Sequence, residues 1–85
     1  MPEVRITNSI RRLRFDRDEM TQQALADEVG CTRQTIAAIE KAKYAPSFEL
    51  AVRIAIALGT PLSEVFRIEC DGEVVGLSPE IEPEA

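Results

Sequence analysis

The spacing of apolar residues between positions 22 and 41 predicts two short helices. Leu25 and Val29 lie four positions apart, and Ile36 and Ile39 lie three apart, so each pair marks one side of a helix. The positions between them carry polar and small side chains, as expected for helices with one buried side. The pattern therefore predicts two neighbouring helices that share a core.

The residues between these two helices are typical of a tight turn. Gly30 stands where the first helix must end, and glycine readily adopts the left-handed conformation that helix ends use. Thr32 directly precedes the second helix, where its hydroxyl is expected to cap a backbone N–H. Two helices joined in this way are too small to fold alone. They form a helix-turn-helix.

The rest of the chain predicts three further helices around this pair. Ser47 is expected to cap the fourth helix, and Gly59 to end it. Thr60-Pro61 begins a short fifth helix, since proline is favoured at the first helical position. The residues expected to face the core are Ile10 and Leu13 of the first helix and Leu50, Ile54 and Leu58 of the fourth. The apolar residues of the fifth helix are Leu62, Val65 and Phe66.

The two ends of the chain alternate with period two, which is typical of strands. Val4-Arg5-Ile6 predicts a short N-terminal strand, and the residues after Phe66 predict another. Asp71-Gly72 between alternating residues is a hairpin signal. We expect one domain at 1–69, followed at 70–85 by the remainder of the hairpin and an acidic tail that is disordered from Ser78 onward.

The net charge of −5 is distributed unevenly along the chain. Residues 1–67 hold all ten Lys and Arg and nine acids, a net +1, whereas residues 68–85 hold six acids and no basic residue. The acidity belongs to the tail, so the domain itself remains compatible with an anionic partner. An apolar run of about 20 residues, a secretory leader and a disulfide framework are all lacking, which predicts a cytoplasmic protein with no membrane partner.

The composition argues against an enzyme. The 85 residues contain no histidine, so neither a Ser-His-Asp triad nor a histidine-assisted cysteine is possible. The two cysteines make a poor zinc site, and no glycine-rich phosphate loop is present, so we expect no metal and no cofactor. Cys31 is expected to be a small buried apolar residue, with a redox sensor as the alternative, and Glu40 to pair with a basic neighbour.

The chain from about Ile6 to Phe66 resembles the phage-repressor and Cro-like helix-turn-helix family. The residues that carry the resemblance are Gln22, Leu25-Ala26, Val29-Gly30-Cys31, Thr32-Arg33-Gln34-Thr35-Ile36 and Ile39-Glu40. Among its members the chain is most similar to small stand-alone repressors, of which the cytolysin repressor is one. The resemblance implies an all-α, five-helix, lambda-repressor-like domain with a short N-terminal strand and a C-terminal strand or hairpin.

The chain departs from the family's pattern at three places. Ala42 stands where relatives often carry glycine, and Ala45 where they often carry asparagine. The link Phe15–Met20 is one residue longer than usual and lacks its glycine.

Arg11, Arg12 and Arg14 are expected on the outward side of the first helix, as a solvated surface or as contacts to DNA phosphates.

In this family the second helix of the motif enters the DNA major groove. Arg33 would then read guanine and Gln34 adenine, while Gln22 bonds a phosphate and Lys43 and Tyr44 hold the backbone. Ala37 and Ala38 face outward without hydrogen bonds, so readout would rest on few side chains. The expected DNA-binding residues are Gln22, Thr32, Arg33, Gln34, Thr35, Ala38, Lys41, Lys43 and Tyr44.

These expectations predict a sequence-specific transcriptional regulator, a repressor that binds a palindromic operator in double-stranded DNA as a homodimer. The self-pairing surface is expected on the fifth helix, at Leu62, Val65 and Phe66, and on the strand Arg67–Cys70. The alternative is an antitoxin or accessory protein whose main partner is another protein. A neighbouring toxin gene would favour that alternative, since residues 70–85 partly resemble a toxin-neutralising tail.

Overall fold

The fold consists of five helices with a small antiparallel sheet, in a computed structural model that describes residues 2–75. Those residues form β1 (Val4–Asn8), α1 (Ile10–Asp16), α2 (Gln22–Val29), α3 (Arg33–Glu40), α4 (Phe48–Leu58), α5 (Leu62–Val65), β2 (Phe66–Cys70) and β3 (Glu73–Val74). The five predicted helices are confirmed. The expectation of an acidic, disordered tail falls mainly on residues 76–85, outside the described residues.

The class is not strictly all-α, because the strands expected at the two ends of the domain form a three-stranded sheet. The sheet has the order β1-β2-β3, and β1 pairs antiparallel with β2 from Val4 opposite Cys70 to Asn8 opposite Phe66. The hairpin signal at Asp71-Gly72 is confirmed: both residues have positive φ, 51° and 85°, as a two-residue type I′ turn requires. Period-two patterning at both ends of the chain therefore adds a sheet to the helical domain.

One apolar core holds the helices together. Its buried side chains are Ile10, Leu25, Ala26, Val29, Ile36, Ile39, Ile54, Ala55, Leu58, Val65 and Phe66. Leu13, Leu50 and Leu62 pack against this core but stay partly exposed. Val65 and Phe66, which we expected on the self-pairing surface, are only 1% and 7% exposed. That assignment is wrong for both residues, because they complete the core under the sheet.

Three helices have a side-chain N-cap, at Thr32 and Ser47 as predicted and also at Thr21. A backbone N–H donates to the side-chain oxygen of Thr21, Thr32 or Ser47 over distances of 2.9–3.1 Å. The first helix differs, because Ser9 makes no side-chain cap and the Asn8 carboxamide oxygen accepts from the Ile10 N–H at 3.1 Å instead. Each of the three capped helices thus begins where its local sequence signal placed it.

The longer link after α1 is accommodated without glycine. Asp18 and Glu19 both have positive φ, 55° and 53°. Arg17 in the same link donates to the Leu58 carbonyl at 3.1 Å and so ties the link to the end of α4. The extra residue is therefore taken up by two left-handed residues in a turn that is fastened to the domain.

Ala42 should gain stability when replaced by glycine. It follows Lys41, the C-cap of α3, and has φ 58°. The Lys43 N–H donates to the Ala38 carbonyl at 3.0 Å, as in a left-handed helix cap. A Cβ at this φ destabilises the folded chain by about 1–2 kcal/mol. Glycine removes that cost, but its greater conformational freedom in the unfolded chain cancels about 0.4–1 kcal/mol of the gain. Ala42→Gly is expected to raise the free energy of unfolding by about 0.5–1 kcal/mol in urea denaturation.

The matched control is Ala45→Gly, three residues further along the same loop. Ala45 is not among the positive-φ residues, so glycine there relieves no strain. It only increases the conformational entropy of the unfolded chain. That variant is expected to be slightly less stable than the parent. Equal changes in both variants would mean that the conformation of Ala42 carries no strain.

Candidate nucleic-acid interface

Helix α3 has a buried side and an outward side that match its sequence pattern. Ile36 and Ile39 are 0% and 1% exposed, whereas Arg33 and Gln34 in the first turn are exposed. Ala37 and Ala38 are half-buried, and Lys41 lies exposed at the C-cap. The outward side therefore presents its long polar side chains at the N-terminal turn, where a recognition helix meets base edges.

The turn before α3 fixes its direction relative to α2. Gly30 has φ 81°, and its own N–H and that of Cys31 both donate to the Ala26 carbonyl, at 2.9 and 3.0 Å. Cys31, which we expected to be buried, is half-buried and packs against the core. Burial raises the pKa of the Cys31 thiol, so the group stays protonated and apolar at neutral pH.

A chain of polar side chains joins α1, α3 and α2 beside the outward surface. The Arg14 guanidinium donates to both Glu40 carboxylate oxygens, at 2.6 and 3.1 Å, and to the Met20 carbonyl at 2.6 Å. The Gln22 amide Nε2 donates to the same carboxylate at 3.1 Å. Glu40 thus pairs with a basic residue, as expected, and fastens α3 to two other elements.

The expected position of Arg14 on the outward side of α1 is wrong. Its side chain is only 13% exposed, whereas Arg11 and Arg12 are exposed as expected. The guanidinium turns inward because the Glu40 carboxylate and the Met20 carbonyl together offer it charge and hydrogen bonds. Arg14 is therefore a structural residue that holds α3 in place through Glu40.

Gln22 and Arg33 lie side by side at the expected DNA surface. The Arg33 guanidinium donates to the Gln22 carboxamide oxygen at 3.5 Å, a long contact, and stays exposed. One amide hydrogen of Gln22 is used by Glu40, which leaves the second for another acceptor. Gln22 is thus placed both to steady Arg33 and to meet an anion.

Thr32, the N-cap of α3, and Thr35 in its first turn form one hydroxyl pair. The Thr32 Oγ1 accepts from the Thr35 N–H at 3.1 Å and lies 2.9 Å from the Thr35 Oγ1. Thr32 is exposed and Thr35 half-buried. The cap occupies part of their hydrogen-bonding capacity, so only the outer hydroxyl positions remain for an external oxygen.

The loop after α3 carries Lys43 and Tyr44 on the surface. Lys43 is exposed, and Tyr44 is 50% exposed. At the base of this loop the Asn8 side-chain amide donates to the Ile39 carbonyl at 2.7 Å, which ties the end of α3 to β1. Asn8 and Arg14 are supporting residues that sequence reasoning missed. Their partners lie 31 and 26 positions away, beyond the reach of any local pattern.

The described part of the chain offers little for other kinds of site. Within residues 2–75 no helix is long and apolar enough to cross a membrane. In the same part, no cluster of three or more His, Cys, Asp or Glu side chains is arranged to hold a metal ion.

Comparisons with known proteins identify a helix-turn-helix family and similar transcriptional regulators. The helix-turn-helix family HTH_3 matches residues 10–65. An uncharacterized HTH-type transcriptional regulator of Methanothermobacter thermautotrophicus is 52% identical over 54 residues, which cover 62% of this chain and 78% of the relative. The regulator YgzD of Bacillus subtilis, also named as uncharacterized and HTH-type, is 44% identical over 62 residues, covering 73% of this chain and 92% of the relative.

Proposed function

The chain belongs to the helix-turn-helix family HTH_3, and on that premise we propose that it is a sequence-specific DNA-binding transcriptional regulator. The observation that carries the proposal is the first turn of α3, where Arg33 and Gln34 are exposed while Ile36 and Ile39 of the same helix are buried in the core. Its similarity to HTH-type transcriptional regulators supports the same function. The protein acts by binding and not by catalysis, as its family does.

The proposed readout assigns different tasks to different side chains. Arg33 and Gln34 contact guanine and adenine edges in the major groove, since their forked and amide groups fit those bases. Gln22, Lys43 and Tyr44 contact phosphates, and phosphate contacts set the register of the protein on the duplex. Other contacts at the groove are made with phosphate oxygens, thymine methyls or the neighbouring backbone. The residues proposed to make them are Thr32, Thr35, Ala38 and Lys41.

We further propose that the protein is a repressor that binds a palindromic operator as a homodimer. One recognition helix reads few base pairs, so two copies whose helices lie about 34 Å apart, one DNA turn, give the needed selectivity. A bound dimer of this size blocks a promoter by occupying it, which requires no second activity. The proposed site of action is the cytoplasm, where the operator lies.

The test separates base contacts from phosphate contacts. After bound sequences have been selected from random duplex DNA, Arg33→Ala is expected to cost about 1–3 kcal/mol at the selected site and to relax preference at one base pair. Lys43→Ala is expected to weaken selected and random DNA alike and to reduce the salt slope by about one unit. Fluorescence anisotropy at several salt concentrations measures both.

The pair of variants is its own control, because both remove one positive charge from an exposed position. If Arg33→Ala weakened selected and random duplexes equally, Arg33 would be a phosphate contact and the proposed readout would be wrong. If the selection returned no preferred sequence at all, the function itself would be refuted.

A further inference from the structure

An apolar groove lies between the sheet and the first turn of α4. It has a volume of about 200 Å3, and the residues that line it include Ile6, Pro46, Phe48, Ala51, Leu62 and Ile68. None of its lining residues is charged. The monomer thus presents a concave surface that favours contact with another apolar surface over contact with water.

The sheet extends this groove on one side. Ile6 lies opposite Ile68 and Val4 opposite Cys70, and cross-strand partners share one face of a sheet. On that face Val4 is 58% and Ile6 37% exposed. The apolar surface therefore continues from α4 across both strands.

Phe48 is the most exposed of the large apolar residues on this surface. The residue is 73% exposed although it lines the groove, so much of a large aromatic side chain is open to solvent beside a depression. A cavity of about 150 Å3 is known to accommodate a benzene ring in a protein interior. A two-fold interface brings the same surface patch of two copies together, so an exposed ring beside a groove on one molecule can meet the groove of the other.

We propose that this groove is the contact surface for a second copy of the chain, and that the Phe48 ring of each copy packs in the groove of the other. The inference rests on the proposed function, because it supplies the homodimer that a palindromic operator needs. Two-fold symmetry lets one surface serve both copies, and its lack of charged lining residues avoids placing like charges against each other. The surface keeps Leu62, Ile68 and the 7% exposed Phe66 of our original expectation, adds Phe48 and Ile6, and leaves out Val65.

The same contact supports the loop that is proposed to hold DNA. Ile6 and Pro46 also line a second cavity, of about 160 Å3, whose other walls include Tyr44 and Ala42. A partner packed against Ile6 and Pro46 therefore limits the movement of two residues that line the same cavity as Tyr44. Pairing of two copies and the grip on the DNA backbone are in this way linked through two shared residues.

The experiment compares Phe48→Glu with Ile56→Glu in the full chain by sedimentation equilibrium. Both residues lie on α4 and both are 73% exposed, but only Phe48 lines the groove. The wild type and Ile56→Glu are expected to be dimers. Phe48→Glu is expected to raise the dimer dissociation constant at least tenfold while circular dichroism shows the helices intact. If that variant unfolds, Phe48→Ala decides the question by the same measurement.

A Phe48 variant that stays as dimeric as the wild type would overturn the proposal, as would a wild type that is monomeric both free and on DNA. Dissociation by Ile56→Glu alone would move the interface to the other end of α4. Binding to the selected operator separates this inference from the proposed function. A wild type that dimerises through Phe48 but shows no sequence preference refutes the regulator and leaves the interface standing.

Discussion

Glu40→Ala is expected to lower the free energy of unfolding by about 3–5 kcal/mol. The side chains of Arg14 and Glu40 are only 13% and 8% exposed, and the guanidinium donates to both carboxylate oxygens. Removing the carboxylate leaves the Arg14 charge largely buried beside the Met20 carbonyl alone. It also removes the acceptor of the Gln22 amide. Urea denaturation followed by circular dichroism measures the loss.

Two further variants distinguish a buried pair from a surface pair. Glu49→Ala removes an ion pair with Arg53 whose side chains are 75% and 55% exposed, and it should cost less than about 1 kcal/mol. The double variant Arg14→Met with Glu40→Leu should recover much of the loss, because apolar groups of similar size replace both charges. Similar losses for Glu40→Ala and Glu49→Ala would contradict this account of the pair.

Ile39→Ala is the second large effect, with an expected loss of about 2–5 kcal/mol. Ile39 is 1% exposed and lies on the side of α3 that packs into the core. Its truncation leaves a cavity beneath the recognition helix, and the cost depends on how far the surrounding side chains relax. Thermal and urea unfolding report the change.

Ala38→Ser, one residue away on the outward side, is the matched control. Ala38 is half-buried, and serine is only slightly less favourable than alanine within a helix, so a loss below about 1 kcal/mol is expected. Equal losses for the two variants would show that α3 presents a different side to the core.

The helices were predictable because their signals are local. The spacings of Leu25 with Val29 and of Ile36 with Ile39 identify buried sides that the structure confirms. Caps act over three residues, so Thr32 could be assigned from its neighbours alone. The alternation of residues at both ends of the chain likewise predicted the strands that form the sheet.

Side-chain partners distant in sequence were not predictable. An arginine on a short amphipathic helix usually points to water, and nothing near Arg14 indicates a carboxylate 26 positions later. The apolar residues of α5 raised a similar difficulty, because periodicity does not distinguish a core position from an exposed interface. Val65 therefore looked available for pairing, although it is buried.

The candidate site was predictable as a set of exposed positions, but not as a network. Arg33, Gln34 and Lys43 are exposed as their sequence positions indicate. That Gln22 bridges Glu40 and Arg33 depends on how α2 and α3 approach each other, which no sequence spacing specifies. Their contacts with DNA remain predictions.

The pairing of β1 with β2 also sets when the protein can assemble. Glu3 and Asp71 bond across the end of this ladder, although 68 positions separate them, so the sheet closes the longest loop in the domain. Closing such a long loop costs more chain entropy than joining residues that are near in sequence. The proposed groove needs Ile6 and Ile68 side by side, so it does not exist until that loop has closed. On the ribosome, the proposed pairing surface is therefore expected to be absent until β2 has emerged.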